Sequence, residues 1–208
     1  MMKTESLSSP PALKEARGQE LYEYLLVVCP ATGIYEKIMT EKESFYSEFK
    51  EKNIVERKPY IIVSDFLAKE AMEDTLIRWI QRICRQRQGF TVTFNNYSGF
   101  PPHTIYLRVQ NERPFQKLRA DLEILNTYIS SCACPPMKFA PKPYLSIAGD
   151  LSEEVYFKAL IQYAHKSFHE SFAANELLLL KRAHEYEECK PVNVFGLQPE
   201  ENPCAIYY

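Results

Sequence analysis

The chain writes KPYIIVSDFL at Lys58–Leu67 and KPYLSIAGDL at Lys142–Leu151. Both segments open Lys-Pro-Tyr and then turn apolar. Proline lacks the amide hydrogen that a central ladder needs, so it sits comfortably where a strand begins. Side chains alternate faces along a strand. That alternation predicts that Tyr60, Ile62 and Ser64 share one face of the first segment, and Tyr144, Ser146 and Ala148 one face of the second.

Working outward, the same order of elements surrounds each copy. LYEYLLVV (21–28) is a β-rich run, and Ile34, Ile38, Phe45 and Phe49 recur at helical spacing up to about Lys50. After the first KPY strand (58–64), Met72, Leu76, Ile80 and Ile83 mark a helix over roughly 69–87, closed by Gly89, and FTVTF (90–94) is a strand. A Gly99-Phe-Pro-Pro turn then starts the series again. TIYLRV (104–109) reads as a strand and 114–130 as a helix, and a Pro-rich loop leads to the second KPY strand (143–148). A helix over 152–169 has Ser152 as its N-cap, and strands follow at 175–182 and 191–197.

Strand, helix, KPY strand, helix, strand, repeated, predicts an α/β (α+β) domain of two pseudo-symmetric lobes. The expected domain spans 19–198, with lobe one at 19–98 and lobe two at 99–198. Residues 1–18, rich in Ser and Pro, read as a disordered arm, and 199–208 as a loose tail. The two KPY strands should face each other across a central cleft, the usual place for a ligand.

Composition narrows the classes. Of 208 residues, 46% are hydrophobic and 25% charged, and the net charge is −2. That balance excludes a blanket basic coat for nucleic acid but allows a local basic cleft. No apolar run reaches the length of a membrane span, and the start lacks the apolar core of a signal peptide. A cytoplasmic monomer with reduced cysteines, no membrane contact and no cofactor is expected.

Other constellations have bland counterparts. His165 and His169 lie four apart on the expected helix, a metal-ligand spacing, yet a solvated face is the simpler reading. Cys132-x-Cys134 reads as loop thiols, and His103 as a turn residue. Arg78, Arg82 and Arg85 form one helical stripe, either an ordinary exposed face or a contact for an RNA backbone. Tyr97, Phe100 and Tyr106 are available to stack on a base, or simply to fill the core.

YEYLLVVCP, KPYIIVSDF, GFPPHTIYLRV, PKPYLSIAGDL, and FAANELLLLKR with PVNVFGL together resemble, over about 21–197, the 2H phosphoesterase superfamily in its 2′-5′ RNA ligase-like branch. The resemblance implies two Pro-His-x-Thr/Ser signatures. Their histidines act as general base and general acid on a phosphodiester or 2′,3′-cyclic phosphate, and their hydroxyls hold phosphate oxygens. Carried over, the histidine positions are Tyr60 and Tyr144, and the hydroxyl positions are Ile62 and Ser146. Histidine suits this work because it titrates near neutrality, whereas a phenol titrates near ~10.

With no signature histidine intact, the expectation is a catalytically impaired relative, not an active enzyme. It would keep a cleft for a nucleotide, an RNA end or a small phosphate ligand, contacted by Tyr60, Tyr144, Ser146, Ser64 and Tyr106. Two alternatives stand beside it. One is an active phosphoesterase on 2′,3′-cyclic or 2′-5′ phosphodiesters that uses Tyr and Ser. The other is a protein-interaction scaffold with a filled cleft.

Overall fold

A computed structural model describes residues 20–50, 58–184 and 187–199. The elements run β1 (Leu21–Val28), α1 (Thr32–Phe49), β2 (Ile61–Lys69), α2 (Glu73–Cys84), β3 (Phe90–Phe100), β4 (Thr104–Val109), α3 (Arg113–Ser131), β5 (Lys138–Phe139), β6 (Tyr144–Ala148), α4 (Glu153–Tyr163), β7 (His169–Ala174), β8 (Glu176–Arg182) and β9 (Lys190–Gly196). Two antiparallel sheets result, with strand orders β5-β2-β1-β8-β9 and β6-β4-β3-β7. The mixed α/β class read from the sequence is the one observed. The arm expected at 1–18 and the tail from 200 onward lie outside the described residues.

The two sheets do not follow the halves of the chain, so the boundary at 98/99 does not separate them. β3 ends the first half but pairs with β4 and β7, while β8 and β9 end the second half but extend the sheet of β1 and β2. The cause is local. Pro101–His103 is a tight turn, and strands joined by a tight turn pair antiparallel, which draws β3 into the second sheet. β3 is also longer than FTVTF and absorbs Gly99 and Phe100. Gly99 is needed there: a Cβ would stand 2.5 Å from the Tyr156 hydroxyl of α4.

α4 stops at Tyr163, so the expected helix over 152–169 is too long. His165 follows it in a turn and His169 opens β7, which separates the supposed i,i+4 pair. Ser152 caps α4 as expected, accepting from the Val155 amide at 3.4 Å. Among the described residues no His/Cys/Asp/Glu cluster suits a metal, and no helix is long and apolar enough to cross a membrane.

One hydrophobic cluster joins both sheets. It runs from Leu26, Ile61 and Leu76 through Ile105 and Leu122 to Leu145, all buried. A smaller cluster lies on the opposite face of the first sheet, where Leu25, Val27 and Leu180 pack with Tyr60 and Ile62. That second face opens into the cleft described next.

Candidate functional site

The two KPY strands carry the same irregularity at the same place. In β2 the register against β1 slips: Leu26 pairs with Ser64 but Val27 with Ile62, leaving Val63 as the extra residue. In β6 the register against β4 slips likewise: Ile105 pairs with Ala148 but Tyr106 with Ser146, leaving Ile147 extra. Val63 and Ile147 are both the sixth residue of their Lys-Pro-Tyr segments. A bulge inserts one residue and resets the alternation of faces. Past it, Ser64 and Ala148 are buried, at 0% and 1% exposure, and the next residues, Asp65 and Gly149, turn to the cleft. The expectation that Ser64 and Ala148 share the outward face of their tyrosines is therefore corrected. Simple period-two counting fails because of the bulge, and Ser64 leaves the ligand-contact set.

Tyr60, Ile62, Asp65, Tyr144, Ser146 and Gly149 thus line one cleft of about 430 Å³, related in pairs by the duplicated strands. All four signature-equivalent positions are half-buried strand or strand-entrance residues. Tyr60 and Ile62 also pack on the apolar patch of Leu25 and Val27.

Tyr60 hydrogen-bonds the Cys189 thiol. Burial pushes that thiol up, and the nearby Arg182 guanidinium pulls the other way. Arg182 itself is held by Glu23 at 2.6 Å. Tyr144 sits edge-on to Phe100 (centroids 5.0 Å apart) and to Tyr106 (5.2 Å), which stack on each other at 4.2 Å. Burial, then the neighbouring Tyr106 phenol, raises the Tyr144 hydroxyl above its ordinary value. Tyr144 is therefore a protonated donor throughout the neutral range. Tyr106 supports Tyr144 from behind and does not line the cleft. Tyr97 packs edge-on to Tyr163 and Phe168, so it serves the core.

Charged groups complete the walls. Lys42 of α1 reaches the cleft although it is only 3% exposed, and Lys58 and Lys138 stand exposed at its rim. Lys58 pairs with Glu188 at 3.0 Å, and Lys138 lies 4.0 Å from Asp65. Burial raises the Asp65 carboxyl above the usual carboxylate range, against the pull of Lys138. Thr104 and Ser146 flank Gly149: a Cβ on that glycine would lie 3.8 Å from Ser146 Oγ and 3.9 Å from Thr104 Oγ1. No histidine is among the described residues lining the cleft. His103 sits in its turn with Nδ1 3.0 Å from the Leu151 carbonyl, as a turn residue should.

Lys42, Asp65 and Thr104 escaped the sequence reading. Lys42 had a signal: it stands on the Ile34, Ile38, Phe45 stripe, where all four side chains are buried. A cation on a core stripe is rarely fully buried without a reason. Asp65 was hidden by the bulge. Thr104 follows the Pro101–His103 turn and offered no signal of its own.

Hydroxyls, a buried ammonium, two rim lysines and a small residue suit a compact oxyanion, and the carboxylates of Asp65 and Asp150 in the same lining oppose it. Phenols without an imidazole do not suit proton abstraction near neutrality. The family model of the 2′-5′ RNA ligase superfamily matches residues 39–185. The chain belongs to that family. Among solved structures, LigT of E. coli in apo form superposes with a TM-score of 0.62 at 17% identity, over 86% of this chain and 99% of that one. LigT of E. coli complexed with 3′-AMP gives 0.61 at 16% identity, over 86% and 99% of the two chains. TT0787 of Thermus thermophilus gives 0.63 at 14% identity, over 86% and 99%. At these identities the likeness is one of fold. The comparison with curated proteins finds no match.

Proposed function

We propose that this chain is a catalytically impaired member of the family whose cleft binds the phosphate of a nucleotide or RNA end. The observation that carries the reading is the convergence of Tyr60 and Tyr144, two phenols, on one cleft with Ser146 and the buried Lys42. In this reading the tyrosines occupy the family's histidine positions. The Tyr144 hydroxyl donates to a phosphate oxygen, the Ser146 and Thr104 hydroxyls add donors, and Lys42 supplies positive charge where water is scarce. General acid–base groups are worth about 10²–10⁴-fold each, so losing both leaves little turnover. The 3′-AMP complex of LigT supports a nucleotide as the ligand class. A volume of about 430 Å³ speaks against the filled-cleft scaffold. We read the protein as a cytoplasmic monomer; the free thiols at Cys29, Cys84, Cys132, Cys134 and Cys189 support a reducing compartment.

The test is calorimetry with 3′-AMP, 2′-AMP and inorganic phosphate, run beside a turnover assay on 2′,3′-cyclic AMP and cyclic-ended oligonucleotides. Saturable binding without turnover is expected. Substituting Lys42→Met should weaken phosphate binding by about 10–100-fold, the worth of a charged hydrogen bond. Turnover that disappears in Tyr144→Phe or Ser146→Ala would sink the impaired reading in favour of a tyrosine-and-serine phosphoesterase. No binding of any of these ligands would remove the ligand assignment as well.

A further inference from the structure

A second basic site lies away from the cleft. α2 and its C-cap carry Arg78, Arg82 and Arg85 along one flank, and this flank forms a groove of about 570 Å³ with β9. Ile77, Gln81, Gln86 and Asn193 complete the lining, and no acidic residue is among them. Helix geometry steps these arginines by about 6 Å and then about 4.5 Å along the axis.

Several other cations of this chain are matched. Arg87 pairs with Asp121, Arg182 with Glu23, Lys166 with Glu41, and Lys181 with Glu70 and Glu73. Arg78 donates only to the Thr75 hydroxyl at 3.1 Å, and among the described residues none of the three groove arginines makes an ion pair. The negative end of the helix dipole favours cations in the last turn, which accounts for Arg82 and Arg85 but not for Arg78 in the middle of α2. Three unneutralised guanidinium groups on one wall of a protein with net charge −2 need a further reason.

The groove is also held rigidly. Gln198, just past β9, donates from its side chain to the Arg85 carbonyl at 3.0 Å and from its backbone to the Arg87 carbonyl at 2.8 Å. Its own carbonyl accepts from Gly89 at 2.7 Å. The C-terminal end of α2 and the exit of β9 are thereby locked together, which fixes the backbone that carries the arginines.

We propose that this groove binds the phosphodiester backbone of a single-stranded nucleic acid. Guanidinium forks take phosphate oxygens two at a time. The three carboxamides offer both donors and acceptors, which suits base edges. An acidic peptide would also bring apolar side chains, for which the groove offers only Ile77. The site is separate from the cleft. α2 buries Leu76, Ile80 and Cys84 on the core face of the first sheet, whereas Tyr60 and Ile62 lie on the other face. β9 and β5 mark opposite edges of that sheet. The inference does not depend on what the cleft holds.

Fluorescence anisotropy with a labelled U12 strand carrying no terminal phosphate, and with dT12, tests it. The full chain should bind both, with log Kd rising with log salt at a slope near 2, as expected for about three phosphate contacts on a single strand. The triple change Arg78→Gln, Arg82→Gln, Arg85→Gln should weaken binding by at least about 30-fold and flatten the slope, with the melting temperature and 3′-AMP binding unmoved. The triple lysine variant should recover part of the loss, because the charge returns without the fork. Ser146→Ala should leave U12 binding alone. The proposal is overturned if the wild-type chain ignores both strands at low salt, if the glutamine variant binds them unchanged, or if oligoglutamate competes as well as RNA, which would mark a surface for an acidic protein. Failure of 3′-AMP to bind, with U12 binding intact, would count against the cleft reading alone.

Discussion

The two KPY strands have the same plan and different chemistry. Each gives the cleft its third and fifth residues, bulges at the sixth, buries the seventh and returns to the cleft at the eighth. The first segment delivers Tyr60, Ile62 and Asp65; the second delivers Tyr144, Ser146 and Gly149. On one wall Tyr60 and Ile62 pack on the apolar Leu25 and Val27, and the carboxylate of Asp65 repels anions. On the other, the Ser146 and Thr104 hydroxyls flank Gly149, and the carboxylate of Asp150 also lines the cleft. The two segments thus share one backbone plan, and the clearest difference is at the fifth residue: an isoleucine on one wall and a hydroxyl that can hold an anion on the other.

The comparison breaks first if the two strands do not share a core. Ile61 and Leu145 are equivalent residues, both 0% exposed in the same cluster. Ile61→Ala and Leu145→Ala should each cost about 2–5 kcal/mol. Chemical denaturation should still show a single transition. Two separable transitions would mean that each sheet folds as its own unit.

Next in size is the asymmetry of anion binding. Ser146→Ala should weaken 3′-AMP binding about tenfold, the worth of one hydrogen bond to a charged group, while Ile62→Ala changes it less than about twofold. Equal losses at the two positions would erase the functional difference between the walls. The buried pair offers a smaller effect of opposite sign. Ser64 Oγ meets no hydrogen-bond partner among the described residues, whereas the equivalent residue is already Ala148. Ser64→Ala should stabilise the fold by up to about 1 kcal/mol and leave binding untouched. A loss of stability would mean that the hydroxyl is satisfied after all.

The smallest effect is one of pH. The Asp65 carboxyl is raised in the folded chain, so folding favours its protonated form. The stability linked to it is fully present below about pH 4, the unfolded range, and is lost as pH rises through the folded value. Asp65→Asn should flatten that part of the stability–pH curve. It should also strengthen phosphate binding at pH 7 by a few-fold, since a charge of the wrong sign is gone. An unchanged curve would place Asp65 in a fully solvated setting.

The duplicated strands, the helices between them and the cleft between the copies were all legible, because proline-led entrances and helical stripes are local signals. Pairing was not. Whether β3 joins the strands before it or after it depends on the Pro101–His103 turn and on distant partners, and no periodicity records that choice. The bulges were equally silent: Val63 and Ile147 look like any apolar strand residue, yet they decide that Asp65 reaches the cleft and Ser64 does not. Lys42 was readable in hindsight as a charge on an apolar stripe.

The exchange of strands has a mechanical consequence. The first half of the chain lends β3 to the second sheet and the second half lends β5, β8 and β9 to the first, so the walls of the cleft are clasped and cannot swing apart like two domains on a hinge. Ligands must enter by adjustments at the rim, around Lys58, Lys138 and the short β5. A single cut at Pro101–His103 should leave two fragments that stay knitted together, each holding a piece the other needs to close its sheet.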